Sequence, residues 1–207
     1  MIVSHAKQFI FFAVPKTGTH AVRELLSIHK GADDWEQQVL FGKQLSPIPE
    51  IAKIQHGHIS AQQIEPYLDK AVWQDYFKFA IVRNPFDRFI SICFFLNRQN
   101  PLFLETPLQW MKSAIQAKEF RARVLVKPQF LQLSDAQGNI AMDYVGRYET
   151  LQNSVDEICL SLKVESSQLQ KRNTSEHQQY REYYDEELKS AVEIVYAEDL
   201  RRFNYSY

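Results

Sequence analysis

The segment FIFFAVPKTGTHAVRELL, residues 9–26, sets the architecture expected for the rest of the chain. Residues 9–14 are an uninterrupted apolar run, which is typical of a central strand in a parallel sheet that is covered on both faces. The five residues that follow predict a sharp turn, and a helix is predicted from residue 20 to about residue 29. The segment therefore predicts a strand, a turn and a helix in direct succession.

The turn itself has the composition of an anion site. Gly18 allows a positive φ or a close approach of the backbone, and Thr17 and Thr19 place hydroxyl groups where the first N–H groups of the helix are unpaired. Lys16 adds a positive charge, so the turn from Pro15 to Thr19 suits a phosphate group. The lysine precedes the glycine, so the turn resembles a P-loop without matching the G-x-x-x-x-G-K-[ST] pattern of nucleotide triphosphatases. A tight structural turn with a surface lysine is the alternative.

The composition is that of an ordinary globular protein. The chain has 207 residues, of which 45% are apolar and 24% charged, and this favours a single domain over residues 1–207. A formal net charge of −1 gives no reason to expect a nucleic-acid partner. Cys93 and Cys159 stand in unrelated contexts without metal-ligand spacing and are typical of buried thiols. We find no signal-peptide pattern and no apolar run of membrane-spanning length, so we expect a cytoplasmic protein without an integral membrane segment.

A second strand, turn and helix begin with FKFAIV at residues 77–82. Arg83 and Ser91 follow, eight residues apart, so both could reach one anion at the end of the strand. An arginine fork and a hydroxyl are suitable ligands for a phosphate monoester. Asp87 could pair with Arg88 or cap the helix. As an alternative, Arg83 and Arg88 are solvated surface charges.

The remaining patterns alternate strands with helices. Residues 51–55 predict a short strand, and Ser60 with Gln63 predicts a capping box at the start of a helix over residues 61–68. Further helices are predicted over residues 86–97, 108–117, 150–162 and within 180–203, and a short strand over 143–147. This alternation predicts an α/β fold, a P-loop-like parallel sheet flanked by helices, with a site at the carboxyl ends of the strands.

The motif PKTGT at residues 15–19 and the motif IVRNPFDRFIS at residues 81–91 together resemble those of sulfotransferases that use 3′-phosphoadenosine 5′-phosphosulfate (PAPS). In that family the first turn is the 5′-phosphosulfate loop and the second carries ligands of the 3′-phosphate. The resemblance is to sulfotransferase family 2, which includes carbohydrate and heparan 2-O-sulfotransferases and many short bacterial members. Supporting features are QFL at 129–131, DYVGRYE at 143–149, NTS at 173–175 and the tyrosine pair at 183–184.

Two histidines flank a glycine in the segment QHGH at residues 55–58. In isolation the pair suggests a metal site, but no Cys, Asp or Glu lies at ligand spacing, and two surface imidazoles are the alternative. The resemblance implies that His58 is the general base, with His56 as a second candidate. An imidazole titrates near neutrality, which suits removal of a proton from an attacking hydroxyl. No metal is expected.

The resemblance also implies a set of nucleotide contacts. These are Pro15, Lys16, Thr17, Gly18, Thr19, His20, Arg83, Ser91, Arg147, Arg172, Asn173, Thr174 and Ser175. His20 departs from the family, which commonly has Thr or Ser at this position, although its backbone N–H can still donate. As an alternative to a nucleotide contact, the loop at residues 171–175 is a solvated linker. As an alternative for Arg147, this residue forms an ion pair with Glu149.

The function expected from this resemblance is transfer of a sulfuryl group from PAPS to an acceptor hydroxyl, which leaves adenosine 3′,5′-bisphosphate. Lys16 is expected to neutralise charge on the leaving phosphate. A carbohydrate or glycolipid acceptor is suggested by analogy alone. A small-molecule kinase is one alternative, and it predicts a Mg²⁺-binding carboxylate and an adenine lid. A non-catalytic nucleotide-binding family member is the other, and His20 is its main support.

Overall fold

The strands form one mixed sheet in the computed structural model, which describes residues 1–39, 44–169 and 179–207. They are β1 (Ile2–Ser4), β2 (Phe9–Phe12), β3 (Trp35–Glu36), β4 (Phe77–Val82) and β5 (Tyr144–Arg147). Their order across the sheet is β3-β1-β2-β4-β5.

The three strands β2, β4 and β5 are mutually parallel, in a register that pairs Phe9 with Phe77 and Phe79 with Tyr144. All four residues of β2 are buried, as the apolar run predicts for a central strand. The predicted α/β fold is therefore confirmed. β1 pairs antiparallel with both β2 and β3, so the sheet gains an antiparallel edge that the sequence did not predict.

Helices connect and cover these strands. The α-helices of the described residues are α1 (Thr19–Ser27), α2 (Pro49–Ala52), α3 (Ala61–Ile64), α4 (Lys70–Asp75), α5 (Pro85–Asn97), α6 (Pro101–Glu105), α7 (Pro107–Gln116), α8 (Lys118–Arg121), α9 (Gln129–Leu133), α10 (Leu151–Leu162), α11 (Glu186–Val195) and α12 (Ala197–Phe203). Short 3₁₀ segments span Glu65–Tyr67, Tyr148–Thr150 and Tyr180–Tyr183. In the described part of the chain, none of the helices has both the length and the apolar character needed to cross a membrane.

Local sequence rules decide two of the helix starts. The predicted capping box is confirmed, because Ser60 Oγ accepts from Gln63 N at 3.3 Å and Gln63 Oε1 accepts from Ser60 N at 2.9 Å. The predicted strand at residues 51–55 is wrong. Pro49 stands at the first position of α2, where its fixed φ favours a helix, and the helix buries Ile51.

The chain folds into two compact units. The sheet unit comprises Met1–Val82 and Phe130–Arg172, and the helical unit comprises Arg83–Gln129 and Asn173–Tyr207. In the sheet unit, residues of β2 and β4 pack with residues of α1 and α10 in one apolar cluster. In the helical unit, aromatic and aliphatic side chains of α5, α7 and α11 form a separate cluster. Each unit therefore has its own core.

Candidate functional site

The loop Pro15–Thr19 joins β2 to α1 in a conformation that depends on glycine. Gly18 is the N-cap of α1 and lies in the left-handed region, with φ 76°. The backbone conformation favours glycine there, and a Cβ on Gly18 would lie 2.8 Å from Leu151 Cδ2, so that side chain would have to shift. Lys16 is also left-handed, with φ 65°. The loop thus turns sharply enough to begin α1 directly at its last residue.

Thr17 stabilises this loop through a hydrogen bond within it. Its side chain is fully buried, and its hydroxyl donates to the carbonyl of Val14 at 2.9 Å. The hydroxyl proton is therefore engaged within the loop in this structure. The N–H groups at the start of α1 and the Lys16 side chain are the groups of the loop that suit an anion.

Two positively charged side chains lie near enough to the first turn of α1 to affect His20. The pKa of His20 is lowered by partial burial and by the positive charges of Arg23 and Lys16, against which Glu36 acts weakly. Two cations that disfavour a protonated imidazole favour an anion at the same place. The electrostatics of the loop therefore agree with the phosphate site that the sequence predicts.

His58 lies next to the start of the loop, because its ring forms a hydrogen bond with Ala13, the first residue after β2. Nδ1 lies 2.7 Å from the carbonyl oxygen of Ala13. A carbonyl can only accept, so Nδ1 carries the hydrogen and Nε2 carries the lone pair. Burial, with neighbouring positive charges including Arg23, lowers the pKa of His58 to about 3. The ring is therefore neutral at pH 7 and fixed in one tautomer.

His56 is held differently. Its Nδ1 accepts from the backbone N–H of His58 at 3.3 Å, and the two ring centroids are 6.2 Å apart. In the neutral form the hydrogen of His56 is then on Nε2, whereas the lone pair of His58 is on Nε2. Among the described residues, no group of three or more His, Cys, Asp or Glu side chains is arranged to hold a metal ion.

Gln132 contacts the same Ala13 carbonyl as His58, and no motif in the sequence indicates it. Its Nε2 donates to the carbonyl of Ala13 at 3.1 Å and to that of Ile59 at 3.2 Å. It therefore joins the end of β2 to the segment that carries His58. A lone glutamine in a short amphipathic helix gives no signal of this role, since both of its partners are backbone carbonyls distant in sequence.

Arg83 lies in the helical unit with its backbone and side chain both fixed. Its Nε donates to Asp87 Oδ2 at 2.8 Å, and only 5% of the residue is exposed. Gln129 binds the Arg83 backbone twice, accepting from its N–H at 3.0 Å and donating to its carbonyl at 2.9 Å. Asp87 thus pairs with Arg83, and the N-cap of α5 is Asn84, so the structure shows neither of the two roles that the sequence left open for Asp87. Ser91 is fully buried in α5.

The alternative that Arg83 and Arg88 are solvated charges is also wrong. Arg88 is 1% exposed and donates to the carbonyls of Leu125 at 2.9 Å and Lys127 at 3.2 Å. The guanidinium satisfies backbone acceptors of a loop that forms no sheet or helix there. Arg88 is therefore a structural residue of the helical unit.

The predicted site residues are divided between the two units. The sheet unit brings the loop Pro15–Thr19, His20 and His58 together at the end of β2. Arg147 ends β5 in the same unit, where its N–H donates to Ser154 Oγ at 2.8 Å. Arg83 and Ser91 belong to the helical unit. The predicted contacts Arg172, Asn173, Thr174 and Ser175 lie outside the described residues.

The parallel strands β2, β4 and β5 of the mixed sheet, with a sharp loop between β2 and α1, define a P-loop-like α/β fold. A family model described as "Sulfotransferase family" matches residues 1–206. The chain therefore belongs to the sulfotransferase family, and this membership supports a transferase that moves sulfuryl groups. No curated protein and no solved structure matches the chain.

Proposed function

We propose that this protein transfers a sulfuryl group from PAPS to the hydroxyl of an acceptor and releases adenosine 3′,5′-bisphosphate. The observation that carries the proposal is the hydrogen bond between His58 Nδ1 and the Ala13 carbonyl, next to the loop that carries Lys16. Family membership supports sulfuryl transfer in general. That PAPS is the sulfuryl donor, and that the individual residues have the roles given below, is part of the proposal.

The loop has the properties that a 5′-phosphosulfate group requires. Gly18 has no Cβ, so backbone N–H groups can approach an anion closely. Lys16 and Arg23 supply the positive potential that also lowers the pKa of His20. Under the proposal, Pro15 to Thr19 and the N–H of His20 surround the 5′ group.

The chain's own residues supply the proton transfer and the charge stabilisation. As the acceptor oxygen bonds to sulfur, Nε2 of His58 takes the hydroxyl proton. The bond between sulfur and the bridging phosphate oxygen breaks, and its electron pair stays on that oxygen, where Lys16 neutralises the charge. A pKa of about 3 describes His58 without an anion nearby, and the negative charge of bound phosphosulfate raises it toward the range of an effective base.

Under the same proposal Arg83 and Ser91 bind the 3′-phosphate, the group that distinguishes PAPS from ATP. Asp87 takes the Nε–H of Arg83, one of five N–H donors on a guanidinium, and holds the side chain in place. Arg147 and the loop at 172–175 complete the nucleotide contacts. The two units then act as one functional domain over residues 1–207.

The acceptor and the cellular location are proposed by analogy with the family. A carbohydrate or glycolipid hydroxyl is the proposed acceptor, and the cytoplasm is the proposed location. Transfer of ³⁵S from labelled PAPS to a panel of saccharides tests the acceptor directly. Lys16→Ala and His58→Ala should each lose most of the transfer activity while remaining folded.

Calorimetric titration with adenosine 3′,5′-bisphosphate, ADP and AMP tests the donor. We expect the 3′-phosphorylated nucleotide to bind selectively, and Arg83→Ala to bind it at least about tenfold more weakly, which is the loss of one charge-assisted contact. Arg201→Ala is the matched control, because Arg201 is an exposed arginine that pairs only with nearby Glu198 among the contacts described here. Preferential binding of ADP would indicate a kinase, and no binding of any nucleotide would indicate a non-catalytic protein.

A further inference from the structure

Arg23 is a buried cation in the second turn of α1, and it forms an ion pair with Glu36 of β3. The residue is 8% exposed, and its Nη1 donates to Glu36 Oε1. The other oxygen of Glu36 accepts from Lys30 Nζ at 3.0 Å. Burial opposes the ionisation of Glu36, but Arg23 and Lys30 hold its pKa below the usual range. Both carboxylate oxygens are used, and Glu36 holds the Nη1 end of the Arg23 guanidinium.

The other edge of the guanidinium faces the turn that carries the two histidines. Arg23 Nη2 lies 3.5 Å from the carbonyl oxygen of Gly57 and 3.4 Å from that of Gln37. The Met1 ammonium donates to the same two oxygens, at 2.6 Å to Gly57 and 3.4 Å to Gln37. A Cβ on Gly57 would lie 2.3 Å from the Gln37 oxygen and 3.1 Å from Arg23 Nη2. Glycine is therefore required between His56 and His58 mainly because the turn packs against the backbone carbonyl of Gln37, with the Arg23 guanidinium as the next contact.

The same arginine also contributes to the electrostatics of the site. Burial is the main cause of the low pKa of His58, and the charge of Arg23 lowers it further. Because Arg23 lies on the helix that begins at the phosphate loop, one residue connects the loop, the edge strand and the histidine turn. None of the sequence patterns singled out this residue.

We propose that Arg23 is a positioning residue: held by Glu36, it supports the turn at Gly57 together with the Met1 ammonium and so keeps the His58 ring against the carbonyl of Ala13. The inference rests on the proposed role of His58 as the base. Displacement of a catalytic group by about 1 Å can cost on the order of a hundredfold in rate. A loosened turn should therefore slow the chemical step without weakening the nucleotide site.

The test compares Arg23→Lys with the wild type. Lysine can still pair with Glu36 but cannot also support the carbonyls of Gln37 and Gly57 as a planar fork does. We expect kcat to fall by about tenfold or more, with the KM for PAPS and the Kd for adenosine 3′,5′-bisphosphate within about twofold of the wild type. If Arg23 served only to balance the charge of Glu36, Arg23→Lys would have the kcat of the wild type. That result would overturn the proposal.

Nuclear magnetic resonance of the imidazole nitrogens gives a readout that does not need activity. The wild type should show His58 protonated on Nδ1 alone, and Arg23→Lys should show exchange between tautomers. Arg23→Gln is the second variant, and Arg201→Gln is the control for loss of an arginine. In Arg23→Lys, which keeps the positive charge, an unchanged His58 spectrum, or equal losses of kcat and nucleotide affinity, would contradict positioning. So would unfolding of both Arg23 variants, since Arg23 would then act on the fold.

The proposed function fails in a distinguishable way. If wild-type protein transfers no sulfuryl group, or if His58→Ala is as active as the wild type, the role of His58 as base is wrong. The tautomer measurement would still report whether Arg23 fixes the ring. An active wild type, an inactive His58→Ala and an unaffected Arg23→Lys would remove only the Arg23 proposal.

Discussion

His58 stays neutral because burial and nearby cations disfavour its protonated form, and this affects stability as well as chemistry. Its pKa is about 3 in the folded protein and about 6.5 in an unfolded chain. Between these values the unfolded state binds the extra proton, so the free energy of unfolding falls as the pH drops from about 6.5 toward 3. Above about pH 6.5 the contribution is fully present. The expected loss between pH 6.5 and pH 5 is about 2 kcal/mol.

Urea unfolding of the wild type and of His58→Asn at pH 7.5 and pH 5.0 measures this effect. Asparagine keeps an N–H that can donate to the carbonyl of Ala13 but cannot gain a proton. The stability of the wild type should therefore fall more than that of the variant as the solution is acidified. Equal losses in the two proteins would mean that His58 is freely protonated in the folded state.

The loop between β2 and α1 depends on Gly18 in two ways that can be separated. Gly18→Ala must hold φ near 76° and must also place a Cβ against Leu151. Gly138 has a similar φ of 83° with nothing within 4 Å of its Cβ position, so Gly138→Ala isolates the backbone strain of about 1–2 kcal/mol. We expect Gly18→Ala to lose more stability than Gly138→Ala in thermal unfolding.

Calorimetry completes this comparison. Gly18→Ala should also weaken binding of adenosine 3′,5′-bisphosphate, because a shifted loop no longer presents its N–H groups to the 5′ group. Gly138→Ala should bind as the wild type does. Equal stability losses and equal affinities in the two variants would show that the packing of Gly18 against Leu151 has no role in the loop.

The helices and strands that were predicted are those determined by residues close together in the sequence. β2 and β4 were predicted because each is a long apolar run, and the Ser60 capping box because its partners are three residues apart. β1 and β3 were not predicted, since strands of three and two residues carry no periodicity and form only by pairing with β2 or β1. The predicted strand after Pro49 failed because the start of a helix outweighed a short apolar pattern.

The same reasoning separates the site residues that were predicted from those that were not. The loop from Pro15 to Thr19 and the His56–His58 turn are contiguous motifs, so their chemistry can be read from neighbouring residues. Arg23 and Gln132 act on carbonyls brought close only by the fold. Arg88 shows the limit most clearly, because its partners Leu125 and Lys127 are far along the chain and nothing near it indicates burial.

The division of the site residues between two units gives the proposal a test that involves the whole chain. If one nucleotide binds both Lys16 and Arg83, then adenosine 3′,5′-bisphosphate should slow hydrogen exchange in both units, because a ligand that contacts a segment raises the free energy of opening it. Peptides covering residues 15–26 in the sheet unit and 83–93 in the helical unit are the segments to compare. AMP, which lacks the 3′-phosphate, should protect only the first segment.

The Arg83→Ala variant sharpens this comparison. With adenosine 3′,5′-bisphosphate it should keep protection at residues 15–26 and lose it at residues 83–93, because the 5′ group still has its loop and the 3′ group has lost its arginine. Arg201→Ala should behave as the wild type. Protection confined to one unit in the wild type would mean that the two strand–turn–helix motifs do not share a ligand. The family motifs would then describe two separate features of the chain, and the single functional domain over residues 1–207 would be wrong.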